Sequence, residues 1–599
     1  LLTYENASDL GNDGSSKNND FTANSMGSAN QSSNTPSKVY STFNPLAHAD
    51  NSYPGTFTLS EGNTKNVLNS SNTSVKTTLP FVMGGSNIIR TQFTFNTVGN
   101  GACGITGSSH TSGTYHTAAT SVAGRGEVLL IADGSLVIDG NFGGSGYTSA
   151  LSNGDVVDVI VNCDAGAVYF AVNGTLGGSA TQSEIQAGTT TNAALVSSFV
   201  RRTAGEVFNF YVAQTNPTST TIEYNSGQSS FTHSYSTITS LVSLNTADLS
   251  APTHQGIDYF NAVKYTGNGT AIGSGGKAVT GVGFKPDFVW IKNRDADDDH
   301  ALYDIARGVT KQWESNTNTT ATTESEGLTT FGSDGFTVGS LAQVNTNTED
   351  YVSWNWLASN STSTTSPAGT IASTSSVASP GHFSVGTYTG TGDDNATVGH
   401  GLGGIPEMII VRNLSRSTFG LVWHTDGGGA THTADFAVTA TFSANNEKFG
   451  GSDEDAPTSG VFKIGDHNEI NANTESFVFY AFRSIAGVCK VGSYEGNASS
   501  DGSYISLGFK PRWFMVKNLD TAGQDWRVYD SVIEPINPND QFFKANANAA
   551  QISSSGFDFL SDGVKARDNN AGFNSAATFV YVAFADIASG AGLAPIYGR

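Results

Sequence analysis

One stretch of this chain occurs three times, and it constrains the fold more than any other feature. The first copy is Gly283-Phe284-Lys285-Pro286-Asp287-Phe288-Val289-Trp290-Ile291-Lys292-Asn293. Its counterparts are Gly404-Ile405-Pro406-Glu407-Met408-Ile409-Ile410-Val411-Arg412-Asn413, which lacks the lysine before proline, and Gly508-Phe509-Lys510-Pro511-Arg512-Trp513-Phe514-Met515-Val516-Lys517-Asn518. Each reads as a turn, a strongly apolar strand, and a basic residue and asparagine that stop it. Gly and Pro punctuate. The apolar run is too short for a helix and is rich in aromatic and β-branched residues.

Other landmarks keep their order around it. Upstream stand Tyr265-Thr266-Gly267, Tyr388-Thr389-Gly390 and Tyr494-Glu495-Gly496. Downstream come Leu302-Tyr303-Asp304, Leu421-Val422-Trp423 and Trp526-Arg527-Val528-Tyr529-Asp530. A Gly-aromatic strand follows, at Gly335-Phe336, Gly460 with Phe462, and Gly556-Phe557. Each copy closes on an apolar strand beginning at Tyr351, Phe477 and Phe579. The spacing is domain-sized, which predicts tandem β-domains over 259–359, 382–487 and 488–590 and not a stacked solenoid. Each landmark set is complete, so each domain is expected to have its own core. A Ser/Thr-rich linker is expected at 360–381 and a tail at 591–599.

Upstream of the repeats, strands recur regularly. Val156–Asp164 and Ala167–Val172 alternate around a turn, and Asn173-Gly174 is a strong hairpin signal. Gly154, Asp155, Val156, Val159 and Asp164, followed by Val168, Phe170, Asn173 and Gly174, resemble the core of SPRY domains, the concanavalin-like β-sandwiches. That resemblance implies a two-sheet sandwich over 61–235 that binds proteins through its loops, with glycan binding among phage and lectin relatives. A polar arm is expected over 1–60 and a connector over 236–258. The fold class is therefore all-β: an SPRY-like sandwich and three homologous sandwich-like domains.

Only 14% of residues are charged, and the formal net charge is -23. Nucleic-acid backbones need basic patches, and no Lys/Arg cluster is present. With 35 Phe, 20 Tyr and 7 Trp the chain can form real cores, unlike disordered sequences. Cys103, Cys163 and Cys489 lack metal-ligand spacing and read as buried small residues. No apolar run is long enough to span a membrane. The chain opens Leu1-Leu2 and not with Met, so a processing site or a missing N-terminus is expected.

Two sets of residues are candidates for chemistry. Asp295, Asp297, Asp298 and Asp299 crowd one loop, and hard carboxylate oxygens suit Ca²⁺. No glycine sits at the turn, so a solvated acidic loop is the competing reading, and no other cofactor is implied. Trp313, Phe419 and Trp423 lie in or beside loops and are the candidate exposed aromatics for ligand binding. Trp290, Trp354, Trp356, Trp513 and Trp526 lie in alternating strands and read as core. His424, Asp426, His432 and Asp435 invite a metal or hydrolytic reading, but no Ser or Cys nucleophile sits in an elbow. Phosphate-loop, His-Glu-x-x-His and Gly-x-Ser-x-Gly motifs are missing.

Several stretches together resemble uncharacterised tailed-phage virion proteins. They are Leu10–Thr22, Phe43-Asn44-Pro45-Leu46, Ser243–Pro252 and the Gly-Phe-x-Pro-Asp-Phe-Val-Trp-Ile-Lys module. The resemblance implies a non-enzymatic structural protein at the virion surface, assembled in host cytoplasm: a tail fibre or appendage forming a homotrimer or another symmetric oligomer, with other virion proteins as partners. Host glycan or receptor contact, a glycan-binding adhesin and a self-assembling extracellular filament are the alternatives. A polysaccharide-degrading enzyme would need two carboxylates facing one cleft.

Overall fold

A computed structural model describes residues 39–48, 57–245 apart from 71–72, 84–86, 108–126, 139–140, 145, 195–206 and 215–217, then 254–364 and 369–586. The stretch 10–22, most of the expected N-terminal arm and the tail 591–599 lie outside the described residues. The chain is all-β, with several sandwich-like layers.

Among the described residues the first domain is two facing sheets of eight strands each. Alternate residues of Val156–Asn162 and Ala167–Val172 turn inward, so Val157, Val159, Val161, Val168 and Phe170 meet Phe208, Phe210 and Val212 of the other sheet. The Asn173-Gly174 turn has φ of 50° and 81°, the left-handed pair that a tight two-residue hairpin requires. The sandwich reaches beyond 61–235: Phe43–His48 pairs with Thr73–Thr77, and Leu241–Ser243 lies parallel to Ile88–Thr97.

Each repeat has its own sheet, built on the same antiparallel order of four strands. In the first, the opening strand Phe260–Thr266 pairs with the closing strand Asp350–Trp356, which pairs with the core strand Phe288–Asn293, which pairs with the third strand Ala301–Asp304. The second repeats this order with Phe383–Thr389, Ser476–Phe482, Met408–Asn413 and Leu421–His424. The third uses Cys489–Glu495, Thr578–Ala585, Pro511–Asn518 and Arg527–Asp530. Its sheet extends to eight strands and nearly closes, because its two edges, Cys489–Glu495 and Tyr504–Ser506, follow each other in sequence.

Both faces of each sheet are apolar. Outer-layer residues such as Val289, Ile291, Tyr303 and Tyr351 pack with Val279, Phe336 and Val338 of the repeat's own smaller sheet. The alternate residues point the other way and meet the sibling repeats. Phe260, Phe288, Trp290, Trp354 and Trp356 share one core with Phe383, Met408, Ile410, Tyr480 and Phe482, and with Trp513, Met515, Val582 and Phe584. Each repeat keeps a core of its own, as expected, and a further core is common to all three. A sheet with two apolar faces must cover both, and one layer per repeat covers only one.

The order of landmarks also needs one correction. Gly335 and Gly563 hold the same place, opposite Thr280 and Ser506, so the third copy's counterpart of Gly335-Phe336 is Gly563-Val564 and not Gly556-Phe557. The stretch 360–381 is more than a linker. Ser373–Val377 hydrogen-bonds along Phe383–Thr389 as an added strand of the second repeat's sheet.

Candidate functional site

The acidic loop does not gather its carboxylates. Asp295 Oδ2 accepts from the Asp350 N–H at 2.7 Å, Asp298 Oδ2 from Asn293 Nδ2 at 2.7 Å, and Asp299 Oδ1 from Asn316 Nδ2 at 2.6 Å. Asp297 Oδ1 reaches the third repeat and accepts from the Ala550 N–H at 2.8 Å. Beside it Arg294 Nε donates to Gln551 Oε1 at 2.7 Å, and Gln551 N–H donates to the Arg294 carbonyl at 3.0 Å. Among the described residues no group of three or more His, Cys, Asp or Glu is placed to hold a metal ion. Each of the four carboxylates thus has its own partner in a cap or clasp. The loop joins the first repeat to the third.

Two of the three aromatic candidates are buried, against the expectation of exposure. Trp313 is buried, its Nε1 donating to the Tyr480 hydroxyl of the second repeat at 2.8 Å. Trp423 is buried in its own repeat beside Phe449, its Nε1 donating to the Gly429 carbonyl at 3.3 Å. Phe419 is half-buried. Trp313 is covered because the segment after the third strand lies against a sibling repeat, whereas Trp423 stands in the third strand Leu421–His424 and faces its own repeat's core. Trp290, Trp354, Trp356, Trp513 and Trp526 are core residues, as their alternation indicated.

His424 and Asp435 are held by separate partners. Both nitrogens of His424 are committed: Nδ1 accepts from the Asp426 N–H at 3.1 Å, and Nε2 donates to the Tyr581 carbonyl of the third repeat at 3.4 Å. Burial pushes its pKa down to about 4, so the ring is neutral at pH 7. Asp435 instead lies 3.7 Å from Lys448 Nζ.

The residues that sequence reasoning missed are the ones that end the third strands. Asp304, His424 and Asp530 occupy one position, opposite Phe288, Met408 and Trp513. Each meets a sibling's closing strand. Tyr480 donates to Asp304 Oδ2 at 2.6 Å, and Trp354 Nε1 donates to Asp530 Oδ2 at 2.7 Å. Arg307 Nε also donates to Asp304 Oδ2, at 2.6 Å. Burial raises the Asp530 carboxyl above its usual range. With His424 on Tyr581, the contacts run from second repeat to first, first to third, and third to second. They close a ring with the symmetry of a trimer inside one chain. The shared Tyr-Asp ending of Leu302-Tyr303-Asp304 and Val528-Tyr529-Asp530 was the available signal.

Within each repeat a second lock recurs. Tyr265, Tyr388 and Tyr494 donate their hydroxyls to the carbonyls of Val344, Ile470 and Phe573, at 2.7, 2.5 and 2.5 Å. The next residue in each case, Asn345, Asn471 or Asn574, is wholly buried and accepts at Oδ1 from the N–H of Asn268, Thr391 or Asn497. The glycine of Tyr-x-Gly lets the backbones touch: a Cβ on Gly267, Gly390 or Gly496 would stand 2.1, 2.3 or 2.0 Å from a carbonyl oxygen. The triple repeat of this motif is thus a packing requirement.

At the centre of the ring, Phe288, Trp356, Tyr480, Trp513 and Phe584 surround a void of ≈ 10 Å³. That is about the space of one water probe and too small for a ligand.

None of the curated proteins matches this chain. Among solved structures, the SPRY domain of human HERC1 is similar at 12% identity and a TM-score of 0.23, covering 31% of this chain and 99% of that one. The stonustoxin structure is similar at 16% identity and a TM-score of 0.16, covering 32% of this chain and 26% of that one. Residues 255–587, which hold the whole ring and more than half of the chain, match the family described as a domain of unknown function, DUF7483, and the chain belongs to that family.

Proposed function

We propose that this protein is a non-enzymatic structural component of a bacteriophage particle, a tail fibre or other surface appendage that contacts the host surface. One observation carries the reading. The side chains best suited to chemistry, the buried histidine and carboxylates, bind one repeat to the next, as a building block requires. The stretches that resemble phage virion proteins support the same assignment. The first domain, with its Gly154-Asp155 and Asn173-Gly174 turns and two facing sheets, is an SPRY-like sandwich that presents its loops to a partner. Other virion proteins, further copies of the chain and a host-surface glycan or receptor are its partners, at the virion surface after assembly in host cytoplasm. Among the described residues no helix is long and apolar enough to cross a membrane.

Cryo-electron microscopy of the native particle tests this. Density for the ring on an external appendage, labelled by antibody against residues 488–590, is the expected result. Purified particles that lack the chain, or glycan cleavage by the purified protein, would refute it.

A further inference from the structure

The three seams of the ring differ from one another, and the differences are chemically matched. Each closing strand presents one side chain at the same position, Trp354, Tyr480 or Val582, as the register with Trp290, Ile410 and Met515 shows. Each third strand ends in a receiving group, Asp304, His424 or Asp530. Trp354 and Tyr480 carry a donor, and both meet a carboxylate. Val582 carries none. The receiving group at its seam is His424, which brings its own N–H and gives it to the backbone carbonyl of the adjoining Tyr581.

Other cyclic orders would break these matches. In the reverse order Val582 would face Asp304 and take the Tyr480 hydroxyl away from a buried carboxylate. Trp354 against His424 would set an indole N–H against an imidazole N–H. A buried polar group left without its partner is expensive. Flanking contacts add to the discrimination at two seams. Ser376 donates to Asp287 Oδ1 at 2.7 Å between second and first repeats, and Ser315 donates to the Ala545 carbonyl at 2.6 Å between first and third.

We infer that the inner face of each repeat is a self-recognition surface whose partner is a sibling module of this chain, and that the pairs Tyr480–Asp304, Trp354–Asp530 and His424–Tyr581 set which module may sit beside which. The surface acts through side chains and the shared core, so it does not depend on the peptide link between modules. A ring cut between the first and second repeats stays whole.

The test uses the full chain with a protease site in place of residues 365–368. After cleavage the two pieces should co-elute as a 1:1 complex under native conditions. Differently dye-labelled batches of this nicked protein are then mixed, and exchange of pieces is followed by energy transfer, with no refolding step. Tyr480→Phe and Trp354→Phe should each speed exchange roughly 5–30-fold. Asp304→Asn, which keeps an acceptor for Tyr480, should speed it less than Asp304→Ala. Arg416→Ala, on the exposed surface of the second repeat, should leave the rate unchanged. Separation of the pieces on cleavage while each keeps its β-sheet circular dichroism would overturn the inference. So would an exchange rate indifferent to Tyr480 and Trp354.

Discussion

Tyr480 of the second repeat gives its hydroxyl proton to Asp304 of the first across 2.6 Å, inside a core that neither repeat could close alone. The carboxylate also receives Arg307, and the tyrosine oxygen also receives the indole of Trp313. Four polar groups thus meet at one buried point, where the low dielectric makes each bond strong and each loss costly.

Removing that hydroxyl should be felt. Tyr480→Phe takes a donor from a buried carboxylate and the acceptor from Trp313, so a loss of about 1–3 kcal/mol is expected. Urea unfolding followed by tryptophan fluorescence measures it. A change within error would mean that water replaces the hydroxyl at this point.

Residues 255–587 should unfold as one unit. Trp513→Ala, in the third repeat, empties space against Phe260, Trp290, Trp354 and Trp356 of the first. A cost of about 3–5 kcal/mol is expected. Hydrogen exchange should rise in all three repeats together. Protection lost in the third repeat alone would contradict a common core.

The Tyr-x-Gly glycine should not tolerate a methyl group. Gly390→Ala would place its Cβ 2.3 Å from the Ala472 carbonyl oxygen, which is backbone and cannot swing away. Overpacking of this kind costs about 1–3 kcal/mol. The midpoint of thermal unfolding should fall, and an unchanged midpoint would show that the loop relaxes freely.

His424 makes stability pH-dependent in one direction. Burial lowers its folded pKa from 6.5 to about 4, so between those values the unfolded chain binds the extra proton. Stability from this group is therefore complete above about pH 6.5 and is lost as pH falls toward 4. His424→Gln retains an N–H donor for the Tyr581 carbonyl but cannot titrate. Its unfolding free energy should fall less steeply than wild type over that window, and parallel curves would rule out His424 as a source of acid sensitivity.

The acidic loop should answer to its clasp and not to calcium. Adding Ca²⁺ or a chelator should leave the unfolding temperature unchanged, whereas Asp297→Ala should raise amide exchange at Ala550, whose N–H it holds. A calcium-dependent rise in unfolding temperature that Asp297→Ala abolishes would restore the metal reading.

Much of each repeat was legible in the residues themselves. Periodicity placed the opening, core, third and closing strands, and Tyr-x-Gly marked a loop that proved to be locked the same way three times. The third copy's Gly556-Phe557 misled because two Gly-aromatic or Gly-apolar strand starts stand within a few residues, and pairing alone separates them. The acidic loop misled because composition counts carboxylates without saying where they point. Trp313 misled because a loop beside a sibling module is as buried as a strand, and Trp423 because it belongs to the third strand and faces its own repeat's core.

Local sequence by itself determined that this is an all-β chain of one sandwich and three copies of a module, since turn residues, strand propensity and repetition are properties of short segments. It also carried a clue to the ring: a closing strand such as Phe477-Val478-Phe479-Tyr480-Ala481-Phe482 is apolar at every position and so must be covered on both faces. What covers the second face was decided only by the tertiary structure. The free energy of that face comes from contacts between residues more than a hundred positions apart, and no local pattern records which of them will meet.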